Sequence, residues 1–69
     1  MFTKQLSNSG HTRRFVVRDA GAAGWEVREE RDSQIVRRVC YEDWHRVERA
    51  VSLFERQALL LEEQGWVEN

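Results

Sequence analysis

The stretch from Trp44 to Gln64, WHRVERAVSLFERQALLLEEQ, limits what this chain can fold into more than any other. Trp44, Val47, Val51, Phe54, Ala58 and Leu61 recur at intervals of three and four, which aligns them on one face of a 3.6-residue helix. His45, Glu48, Ser52, Arg56 and Glu63 fall on the opposite, solvated face. Asp43 is positioned to cap the N-terminus, where a short carboxylate can accept from free backbone N–H groups. Gly65 suits the left-handed residue that ends many helices, with Trp66 next in line to fold back on Leu61. Leu53 and Leu60 stand seven residues apart on a flank of the main stripe, with Ala50 between the two rows. A helix of this length spans about 30 Å, whereas a six-residue strand reaches only about 20 Å. The apolar surface is therefore wider and longer than a small sheet needs.

Three short alternating runs precede the helix. Thr12 to Arg18 alternates around Phe15 and Val17, Trp25 to Arg31 around Trp25 and Val27, and Ile35 to Tyr41 is rich in β-branched residues. The connections Asp19 to Gly24 and Asp32-Ser33-Gln34 carry turn residues. The expected fold is α+β: a three-stranded antiparallel meander, order β-β-β-α, packed on one long C-terminal helix. The expected domain covers residues 12–69. Residues 1–11 are polar and rich in Ser, Asn and Gly, and are expected to form a disordered N-terminal tail, with Phe2 and Leu6 able to dock on the helix flank.

Side-chain chemistry selects a register. A three-residue loop at Asp32-Ser33-Gln34 sets Trp25 against Tyr41, Val27 against Val39 and Glu29 against Arg37, so every pair is apolar or opposite in charge. Glu29 and Arg37 are expected to form a cross-strand ion pair. The same reasoning sets Phe15 against Val27 and Val17 against Trp25. The expected core face is then Phe15, Val17, Trp25, Val27, Ile35, Val39 and Tyr41. The outer face carries Arg14, Val16, Arg18, Glu26, Arg28, Glu30, Val36, Arg38 and Cys40, and places Arg14, Arg28 and Arg38 side by side across the strands.

A 69-residue chain buries a small core, and domains of this size draw on disulfides, metals or oligomerisation. Cys40 is the only cysteine, and no zinc-ligand spacing exists. Self-association is the compensation that remains. The expected dimer interface is Ala50, Leu53, Phe54, Leu60 and Leu61. No stretch reads as a secretory signal or as a membrane span, so the chain is read as cytoplasmic with no membrane partner.

Charge is unevenly divided. The chain is net +3 through Tyr41 and net −4 from Glu42 onward, a basic sheet and an acidic helix. Three strands followed by one helix, with Tyr41-Glu42-Asp43 leading into it, resembles in layout the AP2-type DNA-binding domain, which lays its sheet in the major groove; the likeness is one of element order and carries no function by itself. Arg14, Arg28 and Arg38, with Arg18 nearby, would carry nucleic-acid contact through phosphates. The outer face lacks the aromatic residues that stack bases.

Cys40 and His45 lie close in sequence, but a nucleophile needs its base within hydrogen-bond reach and a third orienting group. Neither has an oxyanion motif nearby, and no Gly-rich phosphate loop is present. The expectation is no catalytic residue, no cofactor and no metal. The leading functional reading is a homodimeric protein-interaction module with an unknown protein partner, and the alternative is a nucleic-acid-binding module.

Overall fold

In the computed structural model, which describes residues 2–69, five strands precede, flank and follow the helix: β1 (Phe2–Asn8), β2 (His11–Asp19), β3 (Trp25–Arg31), β4 (Gln34–Tyr41), α1 (Trp44–Glu63) and β5 (Val67–Glu68). They form one antiparallel sheet in the order β4-β3-β2-β1-β5. The α+β class and the single C-terminal helix match the sequence reading, but the sheet has five strands rather than three.

The correction lies at the two ends of the chain. The expected disordered tail is instead strand β1 for residues 2–8; Met1 lies outside the described residues. Ser9 and Gly10 both take positive φ, the signature of a two-residue type I′ turn, which sets Asn8 opposite His11 and Leu6 opposite Arg13. Leu6 is fully buried, and Phe2 stacks on Phe54 with ring centroids 6.4 Å apart. Both therefore dock in the core and leave the Leu53/Leu60 flank exposed. The chain then passes from the helix into β5, which pairs with β1 at Ser7–Val67 and Leu6–Glu68.

The helix begins and ends where its sequence signals stand. The Asp43 carboxylate accepts from the His45 N–H at 2.9 Å. At the far end Gly65 takes φ +100°, the Trp66 N–H donates to the Leu61 carbonyl at 3.0 Å, and the Gly65 N–H donates to Glu62 at 3.1 Å. These are the two bonds of a Schellman motif. The reversal returns the chain to the sheet and lets β5 form.

The core between helix and sheet consists of Leu6, Phe15, Val17, Val27, Val47, Phe54, Ala58 and Leu61, with Phe2, Trp25, Tyr41, Ala50, Val51 and Trp66 packed around them. Phe15 and Phe54 meet at 4.8 Å, and Trp25 meets Trp44 edge-on at 5.1 Å. Ile35 departs from the expected core face and is exposed. The cause is a bulge. Asp32 and Ser33 form the β3–β4 turn alone, both at positive φ, and the pairing shifts between Glu29↔Arg37 and Glu30↔Ile35. Val36 is the extra residue. The bulge restores the expected pairs Trp25–Tyr41, Val27–Val39 and Glu29–Arg37 while turning Ile35 to the other face.

The β2–β3 register differs from expectation by two residues. Val17 opposes Val27, Phe15 opposes Glu29 and Asp19 opposes Trp25. A shift of two keeps every side chain on its own face. The tightened connection needs Gly24, at φ +91°. A Cβ there would stand 2.2 Å from the Tyr41 carbonyl oxygen, which only glycine permits. This approach holds Tyr41, the last residue of β4, against the β2–β3 connection and beside the start of the helix.

No helix is long and apolar enough to cross a membrane, and no cluster of three or more potential metal ligands occurs among the described residues.

Candidate functional site

Two surfaces carry the sequence-predicted site residues, a third emerges only in the structure, and the arginines of the three differ in their partners. On the outer sheet face, register decides which arginines are neighbours. Arg28 opposes Arg38 across β3 and β4 as expected, but Val16 rather than Arg14 continues that row on β2. Arg14 instead opposes Glu30, and Arg18 opposes Glu26. The expected three-arginine row is thus replaced by an alternating lattice.

Glu26 is its centre. It is only 1% exposed although it lies on the solvent side of the sheet, because arginine side chains close over it. Arg18 Nε donates to Oε1 at 2.6 Å, Arg28 Nη1 donates to the same oxygen at 3.2 Å, and Arg38 Nε donates to Oε2. Arg28 also lies 2.8 Å from Glu30, and Arg14 reaches Glu30 at 4.0 Å. The hydrogen bonds from Arg38 and Arg18 hold the Glu26 carboxyl down at about 2, against the opposing effect of burial. The same partner raises Arg38 above the ordinary guanidinium value. Charges that would serve a phosphate backbone are here committed to carboxylates of the same sheet. Cys40 is exposed on this face.

On the core side, Glu29 is also buried, yet its partner is not the expected one. Arg37 stands opposite it on β4, but the carboxylate pairs with Arg13 of β2 at 2.8 Å and with Arg31 at 3.5 Å. Phe15 stands directly opposite Glu29 on β2, and Arg13, two residues along the same face, reaches the carboxylate diagonally. Arg37 is left free, because no carboxylate lies within 4.0 Å of it among the described residues.

The second surface is the flank of α1. Of the expected interface residues, Phe54 and Leu61 are buried in the intrachain core and Ala50 is half-buried, so these three are not open to a partner as expected. Leu53 and Leu60 remain 52% and 51% exposed. Leu6 of β1, with Phe2 and Trp66 beside it, joins the core cluster that encloses Leu61. Read along the flank, the helix presents Arg49, Leu53, Gln57, Leu60 and Glu63 at intervals of three and four, all exposed, and the first three also border the sheet. Its ends carry opposite charge, and neither Arg49 nor Glu63 has an ion-pair partner among the described residues.

The third surface was not anticipated. Between β4 and the first half of α1 runs a groove of about 360 Å³. The buried or half-buried Val27, Phe54 and Ala50 form its floor, and Tyr41, Arg37, Arg46 and Arg49 line it. Arg46 lies 6.0 Å from the centroid of the Tyr41 ring. Of eleven basic side chains in the protein, Arg37, Arg46, Arg49 and Arg56 have no carboxylate within 4.0 Å among the described residues, and three of these four share this groove. No local sequence motif could have shown this, since Arg37 belongs to a strand and Arg46 and Arg49 to the helix that follows it.

No protein-family model matches the chain, and neither does any curated protein or solved structure.

Proposed function

We propose that this protein is a non-enzymatic interaction module that self-associates through the flank of α1. The observation that carries the reading is the exposed pattern Arg49, Leu53, Gln57, Leu60, Glu63, which is complementary to itself. In a two-fold dimer, residue i meets j and j meets i. Laid antiparallel about an axis near Gln57, Leu53 of one helix meets Leu60 of the other. The same rotation brings Arg49 beside the second copy's Glu63, and each contact occurs twice. Two leucine pairs at the centre with charged pairs at the rim is the usual distribution of an interface, with an apolar middle and a polar edge. The patch is small, so association is expected to be weak and reversible rather than obligate.

Size supports the same reading. A chain of this length has few ways to add to its core, and the described residues offer neither a disulfide nor a metal cluster. The test is the mass of the protein by light scattering across a micromolar-to-millimolar concentration series. The expected result is a rise from monomer to dimer, abolished by Leu60→Asp. A monomer throughout the range refutes self-association.

A further inference from the structure

We propose that the groove between β4 and α1 is a binding site for a small organic anion, a phosphate or carboxylate carried on a compact apolar body. Arg37, Arg46 and Arg49 take the head group, and the floor of Val27, Ala50 and Phe54 takes the body. The groove shares Arg49, Leu53 and Gln57 with the self-association surface, whose Leu60 and Glu63 lie outside it, so a bound ligand and the second copy compete for Arg49.

The argument starts from cost. Guanidiniums gathered around one cleft repel one another unless a counter-charge is present. Elsewhere in this protein the counter-charge is built in, at Glu26, Glu29 and Glu30. The groove contains one carboxylate, Glu29, and it is turned to Arg13 and Arg31. Its three arginines therefore present a positive field with nothing in the described chain to answer it. Their placement also resists collapse. Arg46 lies over the Tyr41 ring, Tyr41 is held by the close approach of Gly24, and Arg37 is fixed in register by the bulge at Val36.

The shape narrows the ligand. A volume of about 360 Å³ is at the lower end of small-molecule sites. An inorganic ion would leave the apolar floor unused, and a neutral apolar molecule would leave the guanidiniums unanswered. Guanidinium forks match the paired oxygens of carboxylate and phosphate. The ligand class that satisfies both halves is an aryl or branched alkyl phosphate or carboxylate.

The experiment is an amide NMR titration of the full chain with phenyl phosphate. Benzoate, inorganic phosphate and benzyl alcohol serve as comparators for the head group, the charge alone and the body alone. Saturable shifts are expected at Val27, Tyr41, Ala50 and Phe54. Phenyl phosphate or benzoate should bind more tightly than either half-ligand. The double variant Arg37→Ala/Arg46→Ala should weaken binding roughly tenfold or more with its thermal unfolding unchanged. Leu60→Asp, which blocks self-association without altering a groove residue, should bind at least as tightly as the parent, so failure of the dimer and failure of the groove are read separately. Absence of saturable shifts, equal binding by the double variant, or shifts centred on Arg18, Arg28 and Arg38 would overturn the proposal.

Discussion

The two faces of this sheet use the same residue type to opposite ends. On the outer face, Arg18, Arg28 and Arg38 converge on one carboxylate and bury it under their own side chains. On the helix side, Arg37, Arg46 and Arg49 line an open groove whose one carboxylate, Glu29, is paired with Arg13 and Arg31 instead. The first set is part of the fold, since removing any member strands another. The second set contributes nothing evident to the fold and stays available to a ligand. An arginine count, or even an arginine pattern, does not distinguish the two. Only the position of the neighbouring glutamates does.

The largest effect should come from the centre of the outer lattice. Glu26→Gln removes the negative charge shared by three guanidiniums and turns one of its two acceptor oxygens into a donor, and should cost about 1–3 kcal/mol in urea unfolding. The cover over Glu26 is one arginine layer thick, and Arg18 and Arg38 are more than half exposed, so water can partly replace the lost partner. That keeps the expected cost below that of a charge stranded in a deep core. A neutral result would mean that the lattice is a surface decoration and that the contrast between the faces is false.

Acid provides a second way to read the same group. Glu26 titrates at about 2 in the folded chain against an ordinary value of 4.5. A lowered folded-state value means that its contribution is fully present above 4.5 and is lost as pH falls from there toward 2. Asp32, lowered by the Thr12 backbone N–H and then by His11, acts in the same direction. The unfolding free energy of the parent should therefore drop across that window, and the Glu26→Gln variant should drop less. Equal slopes for the two would remove Glu26 from the account.

Smaller effects belong to the helix side. Arg37→Ala, Arg46→Ala and Arg49→Ala should each change stability by no more than about 0.5 kcal/mol, as surface substitutions do. The contrast sharpens if Arg28→Ala, which removes a guanidinium held between Glu26 and Glu30, costs clearly more than any of them in the same melts. A groove arginine that proved as costly as Arg28 would mean that its role is structural.

How much of this was legible beforehand follows from what each feature depends on. The helix and both of its ends were readable, because spacing, Asp43 and Gly65 act locally. The face of each strand from β2 to β3 was readable even though the register was off by two, because side chains alternate with a period of two. β1 was missed because Phe2 and Leu6 are separated by polar residues that resemble a loop. The signal was present, in the alternation of Phe2, Lys4 and Leu6 ahead of a Ser9-Gly10 turn. The exposure of Ile35 was hidden because it depends on a bulge, which pairs one residue with none. The arginine lattice was misread through the same two-residue shift, which exchanged Arg14 for Val16 beside Arg28. The groove could not be read at all, since the crossing of α1 over β3 and β4 alone brings Arg37 to Arg46 and Arg49.

Self-association is the claim on which the functional reading rests, and charge exchange tests it most directly. Sedimentation equilibrium at low salt would compare the parent with Arg49→Glu, Glu63→Arg and the double exchange. The antiparallel pairing predicts a dimerising parent, two single variants shifted toward monomer by like-charge contacts across the axis, and a double variant restored toward the parent. A parent that stays monomeric, or a double variant no better than either single, would contradict the assembly.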